Sequence, residues 1–342
     1  MRRKTIAAVS LAVALAVLVS AVAASAAPKR ANASLVGAGS TFVAPLVSKW
    51  ISNVGQGLDI TYAPIGSGGG INAITGRTVD FGASDAPLTS DEFSQCKGCV
   101  QIPWALSATS IPYHIEGVKA RLHLTGPVIA DIFLNKITKW NDSRIKKLNP
   151  KVSLPALAIT PIHRSDNSGT TFNFTDYLSR VSGAWRNGPG KGVAVNWPTG
   201  VGSKGSSGVA ATLSQTNGAI TYVDIAYSLK NHFTFAAVKN SAGKYQLPGL
   251  RGIAAAAASV KKLPADNAVS IVNPSKKAKL AYPISTFTWV IVPLQSSKAS
   301  ELKAFIGWAI TKGQSFGPSL IFQPLPKVVK AASQRTLARL HS

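Results

Sequence analysis

Acidic residues are scarce in this chain of 342 residues. Lysine and arginine number 37 against 13 aspartates and glutamates, which gives a formal net charge of +24. Such a surplus favours association with anionic solutes, nucleic acid or anionic surfaces, but it does not identify a partner. The cations are scattered and are not interleaved with aromatic residues, as a groove for single-stranded nucleic acid would require. No nucleic-acid partner is therefore expected, and a basic protein that binds nucleic acid or a cell surface stays open as an alternative.

Cysteine is also scarce, since Cys96 and Cys99 are the only two. No cysteine precedes Cys96, which excludes a lipid anchor on an N-terminal cysteine. In an exported chain the pair predicts a small-loop disulfide. A redox pair or a metal site are the alternatives, but a metal site needs further cysteine or histidine ligands nearby, and none are in view. We expect no metal and no cofactor.

Long apolar runs are lacking beyond the N-terminus, so no membrane span is expected there. Residues 1–26 combine a basic start, an apolar run over 5–24 and the small-residue signal Ala24-Ser25-Ala26. This pattern predicts a secretory signal peptide followed by a linker over 27–33, with a retained N-terminal anchor as the alternative. The protein is thus predicted to be exported, to a periplasm or to the outer face of the cytoplasmic membrane.

Complete motifs of hydrolytic enzymes are missing as well. The sequence has no H-E-x-x-H pair and no G-x-x-x-x-G-K-[ST] loop, and its one G-x-S-x-G match, at 313–317, follows a predicted helix over 302–310 and not the strand that a nucleophile elbow requires. His163, Asp166 and Ser168 lie too close together in one loop to act as base, orienter and nucleophile. No catalytic residue is predicted, and a secreted phosphatase-like relative stays open as an alternative.

Strand-like and helix-like segments alternate and are separated by glycine-rich turns. Strands are predicted over 34–39, 60–63, 79–83 and 218–223, with helices following the first two. Ser40 and Thr41 are predicted to cap the helix that follows the first strand. This alternation indicates an α/β fold. Three polar turns fall at strand ends next to helix starts, which is where open α/β folds bind ligands.

The stretch from Arg164 to Phe172 has the composition of an oxyanion site. It reads as a loop that runs into a helix start, where free N–H groups and the positive end of the helix dipole attract anions. An arginine two residues before a carboxylate can be held by it and can present a planar guanidinium. A capped helix beside a surface ion pair is the alternative for this stretch taken alone.

Four motifs carry a resemblance to a known family. They are GAGSTF at 37–42, IGSGGG at 65–70, VDFGASDAP at 79–87 and RSDNSGT at 164–170. In this order they closely resemble the substrate-binding protein of the bacterial phosphate-specific ABC transporter. Shorter matches at 137–142, 197–200 and 282–285 extend the resemblance over roughly 35–326, and it thins between 233 and 281.

The resemblance implies a two-lobed periplasmic-binding-protein fold of type II. Each lobe is a mixed sheet flanked by helices, and two crossover strands join the lobes. Lobe I would comprise 34–106 and 286–342, and lobe II would comprise 107–285. The implied role is that of a monomer that captures inorganic phosphate between its lobes and delivers it to the permease subunits of an ABC transporter.

The resemblance also implies a set of binding residues. From lobe I they would be Thr41, Phe42 (through its backbone N–H), Ser67 and Asp85. From lobe II they would be Arg164, Ser168, Gly169 and Thr170, with Asp166 orienting Arg164.

Asp85 is the informative member of this set on physical grounds. A carboxylate repels an anion unless the anion carries a proton to donate. Phosphate keeps a proton near neutral pH, whereas sulfate has none. Asp85 is therefore predicted to select phosphate over sulfate. A cap on the turn before Pro87 is the alternative for Asp85, and a turn serine is the alternative for Ser67.

Overall fold

The computed structural model describes residues 33–55 and 57–342. The predicted signal peptide (1–26) and residues 27–32 of the predicted linker lie outside this part of the chain. Within the described part, no helix combines the length and the hydropathy that crossing a membrane requires.

The secondary structure alternates between strands and helices. The strands are β1 (Ala33–Gly39), β2 (Leu58–Ala63), β3 (Phe81–Ser84), β4 (Cys99–Ser110), β5 (Pro112–His114), β6 (His123–Leu124), β7 (Thr160–Arg164), β8 (Val201–Ser203), β9 (Ala219–Ile220), β10 (Val223–Asp224), β11 (Thr234–Phe235), β12 (Ala237–Lys239), β13 (Tyr245–Gln246) and β14 (Ser285–Pro293). The helices are α1 (Ala44–Ile51), α2 (Ser67–Thr75), α3 (Ser90–Gln95), α4 (Gly126–Phe133), α5 (Ser143–Leu148), α6 (Gly169–Val181), α7 (Gly183–Asn187), α8 (Gly205–Gln215), α9 (Ile225–Lys230), α10 (Leu250–Ala257), α11 (Ala299–Ala309) and α12 (Lys327–Ala338). Two short 3₁₀ helices span Lys312–Phe316 and Pro318–Leu320.

The strands of the described residues form three sheets, and the two larger sheets position the loops of the candidate site. The six-stranded sheet has the order β10-β4-β14-β3-β1-β2, and the five-stranded sheet has the order β11-β5-β9-β7-β8. The third sheet has the order β13-β12-β6. β1 runs parallel to β2 and β3, and β7 runs parallel to β8 and β9. Because parallel strands end at the same edge of a sheet, the loops that follow them gather at that edge.

Two long strands lie where the two larger sheets join. β4 leads directly into β5 of the five-stranded sheet, and β14 pairs antiparallel with β4 from Ser285 opposite Ala108 to Pro293 opposite Cys99. Every residue of both strands is buried, which accounts for their largely apolar sequences. The predicted α/β fold, with two mixed sheets and two crossover strands, is confirmed.

The strand predicted over 218–223 is divided between the two sheets. β9 belongs to the five-stranded sheet, whereas β10 pairs with the end of β4 in the six-stranded sheet. Tyr222 lies between them and is fully buried. The division places Asp224 at the edge of the six-stranded sheet, close to the loops described below.

Aromatic side chains support both groups of loops. In the six-stranded half, the ring centroid of Phe81 lies 6.1 Å from Trp104 and 5.6 Å from Phe305. Behind β7, the ring of Tyr222 stacks on Phe174 at 4.3 Å. Buried aromatic rings bring large apolar areas into contact, so these loops rest on closely packed supports.

Cys96 and Cys99 form the predicted disulfide, which joins the end of α3 to the start of β4. The guanidinium of Arg77 donates to the backbone oxygens of Cys96 and Lys97 at 2.9 and 3.0 Å. Its Nη1 also lies 3.2 Å from the Cys99 Sγ. The disulfide and Arg77 together fix this loop.

Replacing both cysteines with serine should lower the free energy of unfolding by about 2 kcal/mol, because the disulfide closes only a very short loop. Urea unfolding of the variant and of the wild type measures this difference. Wild-type protein under reducing conditions should match the variant. An unchanged unfolding midpoint would contradict the prediction.

Candidate functional site

Two groups of loops face each other at the carboxyl ends of the parallel strands. The first loop group consists of 40–42 after β1, 64–67 after β2 and Asp85 after β3. The second loop group consists of 165–170 after β7 and 204–206 after β8. Each predicted binding residue except Arg164, the last residue of β7, therefore lies in one of these loops or at the start of the helix that follows.

The two loop groups touch through positions without side chains. The backbone N–H of Gly68 donates to the backbone oxygen of Asn167 at 2.9 Å. A Cβ atom added to Gly169 would lie 2.6 Å from the Ser67 Oγ and 2.7 Å from the backbone nitrogen of Asp85. Glycine is therefore required at 169 for this close approach, which brings Ser67, Asp85 and the start of α6 into direct contact.

Asp85 is buried and only partly satisfied by hydrogen bonds. The Ser40 hydroxyl donates to its Oδ1 at 2.5 Å, and its backbone N–H donates to the Ser67 Oγ at 3.2 Å. Burial raises the pKa of Asp85 to about 7, against the opposing effects of the Ser40 hydroxyl, the Arg164 charge and the Ser67 hydroxyl. This carboxyl group therefore exchanges its proton near neutral pH.

The raised pKa of Asp85 makes the stability of the ligand-free protein depend on pH. Between the ordinary value of 3.8 and the folded value of about 7, the folded state binds more protons than the unfolded state. Stability should therefore fall as pH rises through this window and level off above it. Asp85→Asn should make the fall shallower in calorimetric melting at a series of pH values. The exposed Asp266→Asn should leave the profile unchanged, and identical profiles for all three proteins would contradict the prediction.

Arg164 is buried and held by Asp166. Its Nε donates to the Asp166 Oδ1 at 2.6 Å, its Nη2 donates to the Oδ2, and its backbone N–H donates to the Tyr222 hydroxyl at 3.0 Å. The Gly205 N–H also donates to the Asp166 Oδ1, at 3.0 Å. Burial would raise the pKa of Asp166, but the hydrogen bonds and charge of Arg164 outweigh it and lower that pKa. The lowered pKa favours the Asp166 carboxylate, and its two hydrogen bonds fix the guanidinium plane.

The start of α6 presents donors that lack partners. Ser168 caps the helix by accepting from the Thr171 N–H at 3.2 Å. Among the described residues, the backbone N–H groups of Phe42, Gly169 and Thr170 donate to no acceptor, and the buried Thr170 hydroxyl has no partner. Unpartnered donors at a helix start, beside a buried arginine, are suited to binding an oxyanion.

The predicted cap of α1 is wrong. Ser40 and Thr41 were expected to begin this helix, but α1 begins at Ala44, and its N-cap Val43 has no side-chain hydrogen bond. The Ser40 Oγ accepts from the Val43 N–H at 3.2 Å while donating to Asp85. The Ser40 hydroxyl thus donates to the buried Asp85 carboxylate, and the Thr41 hydroxyl pairs with Ser206.

Two residues that the sequence did not indicate lie next to the predicted binding residues. The Ser206 N–H donates to the Thr41 Oγ1 at 3.2 Å, and the two hydroxyl oxygens are 2.9 Å apart. The Asp224 carboxylate is fully buried; its Oδ1 accepts from the Tyr227 N–H at 3.1 Å, and its Oδ2 has no partner among the described residues. Burial, with a contribution from the Asp85 charge, raises the pKa of Asp224 well above its usual value.

A signal for both residues was present in the sequence. Ser206 lies in the glycine- and serine-rich segment 200–208, which contains β8 and the start of α8. Asp224 is a polar residue at a strand end before a helix, the same pattern as Asp85.

A cavity of about 240 Å³ next to these loops is lined by Thr41, Pro64, Ile65, Asp166, Lys204, Gly205, Ser207 and Tyr227.

Known proteins resemble this chain over most of its length. A family model described as a PBP superfamily domain matches residues 24–312. The chain is 40% identical over 301 residues to the phosphate-binding protein PstS of Xylella fastidiosa, covering 86% of this chain and 82% of the relative. It is 37% identical over 302 residues to the phosphate-binding protein PstS of Pasteurella multocida, covering 86% and 87%.

Solved structures share the fold. A periplasmic phosphate-binding protein determined with bound phosphate, PfluDING, superposes with a TM-score of 0.71 at 22% identity, covering 88% of this chain and 93% of that one. A phosphate-binding protein from Stenotrophomonas maltophilia has a TM-score of 0.70 at 18% identity, with 89% and 94% covered. At these identities the structures support the fold alone.

Proposed function

This chain belongs to the PstS family of phosphate-binding proteins within the PBP superfamily, and from that premise we propose that it captures inorganic phosphate for import by an ABC transporter. The observation that carries the proposal is the convergence of unpartnered donors around buried Arg164. The backbone N–H groups of Phe42, Gly169 and Thr170 and the Thr170 hydroxyl all lie in the two facing loop groups.

The proposed binding set is the one predicted from the sequence: Thr41, Phe42, Ser67, Asp85, Arg164, Ser168, Gly169 and Thr170. In it, Arg164 supplies the fixed charge, and hydroxyl and backbone N–H groups supply the remaining donors. Asp85 accepts the proton that phosphate carries near neutral pH. Ser40 already donates to one oxygen of this carboxylate, which leaves the other oxygen for the ligand.

Capture is proposed to occur by closure of two lobes. Lobe I comprises 34–106 and 286–342, and lobe II comprises 107–285. The Gly68–Asn167 hydrogen bond and the Thr41–Ser206 pair join the two loop groups, so both would break when the lobes separate. Bending would occur where β4 and β14 leave the six-stranded sheet, and the ligand would favour the closed state by contacting both lobes.

We further propose that the protein acts outside the cytoplasm as a monomer, after removal of residues 1–26, and releases phosphate to permease subunits in the membrane.

It is proposed to have no catalytic activity. The His163 ring stacks on Trp197 at a centroid distance of 4.7 Å, and its Nδ1 lies 3.1 Å from the backbone oxygen of Arg164. Since Ser168 is occupied as a helix cap, this loop lacks a base–nucleophile pair. Incubation with a chromogenic phosphate ester should release no product.

Calorimetric titration of the chain from residue 27, stripped of ligand, tests the proposed function. Phosphate should bind tightly with one-to-one stoichiometry, and sulfate should give no signal. Equal binding of sulfate would contradict the role of Asp85, and binding of neither anion would contradict the proposed function.

A further inference from the structure

A cluster of exposed lysines lies on and around the short helix α5, away from the phosphate site. We call it the α5 basic face, and it consists of Lys136, Lys139, Lys146, Lys147 and Lys151. All five are exposed. Among the described residues, none of them pairs with a carboxylate.

The nearby acidic groups are already neutralised. The Arg144 guanidinium binds both carboxylate oxygens of Asp142 at 2.9 Å and approaches the Asp131 Oδ2 at 3.2 Å. Its Nη2 also donates to the backbone oxygen of Lys136 at 2.8 Å. Arg144 therefore joins the two acidic groups to the loop at Lys136, and the five lysines remain without compensating charge.

The α5 basic face continues onto the smallest sheet. Asn149, directly after α5, accepts from the His123 N–H at 2.8 Å and donates to the His123 backbone oxygen at 3.0 Å. The ring of the exposed His123 stacks on the Tyr245 ring at a centroid distance of 4.1 Å. The Lys239 Nζ lies 5.9 Å from the centroid of the Tyr245 ring. A further cation and two amphipathic rings thus border the lysines.

We propose that the α5 basic face binds the headgroups of an anionic phospholipid bilayer. Lysine is a strongly hydrated point charge on a flexible stem, and it is depleted from specific protein–protein interfaces, where arginine and aromatic residues dominate. Clusters of four to eight exposed basic residues instead suit diffuse attraction to anionic lipid, worth about 1 kcal/mol per residue near the surface. The His123–Tyr245 pair suits the region where headgroups meet apolar chains. Such binding would hold the protein near a membrane independently of the phosphate site.

Vesicle sedimentation tests this inference with the chain from residue 27, so that the apolar N-terminal run does not contribute. The vesicles are either pure phosphatidylcholine or contain about one third phosphatidylglycerol. Wild-type protein should bind the anionic vesicles only, and binding should weaken strongly when salt is raised from about 0.05 to 0.5 M, as screening requires.

Two variants with the same loss of charge identify the surface. In the first, Lys139, Lys146, Lys147 and Lys151 are replaced with glutamine, and vesicle partitioning should fall by about tenfold or more. In the second, glutamine replaces Lys327, Lys330 and Arg335 of α12 and Arg339 directly after it. This helix packs on the six-stranded sheet, where the Ser333 hydroxyl donates to the Pro103 backbone oxygen. This control should stay within about twofold of wild type, because it leaves the lysine cluster intact. Thermal melting and phosphate titration confirm that both variants are folded.

Three results would overturn the proposal. They are failure of wild type to bind anionic vesicles, an equal loss in both variants, and preferential binding of a soluble polyphosphate chain over vesicles at the same face. The double variant Lys146→Gln/Lys147→Gln provides the same comparison if the fourfold variant does not fold.

Discussion

Replacing Arg164 with alanine is expected to lower phosphate affinity by about a thousandfold while the protein stays folded. The side chain is 2% exposed and is fixed by two hydrogen bonds to Asp166. Its loss removes charge-assisted hydrogen bonds to the ligand, each worth about 1.5–3 kcal/mol, and leaves Asp166 as an unpaired negative charge beside the bound anion. Calorimetric titration measures the loss directly.

Two variants serve as controls for Arg164. Arg180→Ala removes an arginine that also binds an aspartate, Asp176, but at a 41% exposed surface position outside the loop groups. It should not change the affinity for phosphate. Arg164→Lys keeps the charge but loses the planar fork, so its affinity should lie between those of wild type and Arg164→Ala. Wild-type affinity in Arg164→Ala would contradict the assignment of Arg164 to the site.

Asp85→Asn is expected to change which anion is bound. The amide can donate to an oxyanion where the carboxylate repels one, so sulfate should become a ligand while phosphate loses its acceptor for a proton. A repelled or unpaired buried contact costs about 1–3 kcal/mol. The variant removes this cost for sulfate and imposes it on phosphate, so the ratio of phosphate affinity to sulfate affinity should drop by about a hundredfold or more. Titration of each anion at pH 8, where wild-type Asp85 is ionised in the ligand-free state, gives both affinities.

The matched control is Asp224→Asn, which changes a second buried carboxyl group outside the proposed binding set. Burial raises the pKa of Asp224 well above its usual value, which favours the neutral carboxyl group that the amide mimics. Discrimination against sulfate should persist in this variant. If Asp224→Asn lost discrimination against sulfate and Asp85→Asn kept it, the selective carboxylate would be Asp224, and the role proposed for Asp85 would be wrong.

The features that the sequence predicted well are those encoded locally. The alternation of strands and helices, the polar turns at strand ends and the Cys96–Cys99 pair each depend on neighbouring residues. The helix start at Ser168 was predicted for the same reason, because a cap followed by an apolar stripe needs no distant contact.

The features that the sequence missed depend on contacts between distant segments. The local sequence predicts a helix cap at Ser40. The hydrogen bond that directs its hydroxyl to Asp85 spans 45 residues, so no local pattern reveals it. The pairing of Thr41 with Ser206 spans 165 residues. The division of the strand over 218–223 follows from the join between the two sheets, which no local pattern records.

The lack of a side chain at Gly169 also sets a limit on function. A single added carbon atom would lie 2.6 Å from the Ser67 Oγ and 2.7 Å from the Asp85 backbone, too close for either to remain in place. Such a carbon atom would hold the start of α6 away from Ser67 and Asp85. The variant would keep all its donors and both sheets, yet it could not shield the ligand from water. Binding of the ligand and its retention are then separate properties. The volume of one methyl group at position 169 is enough to affect retention while every binding residue stays in the sequence.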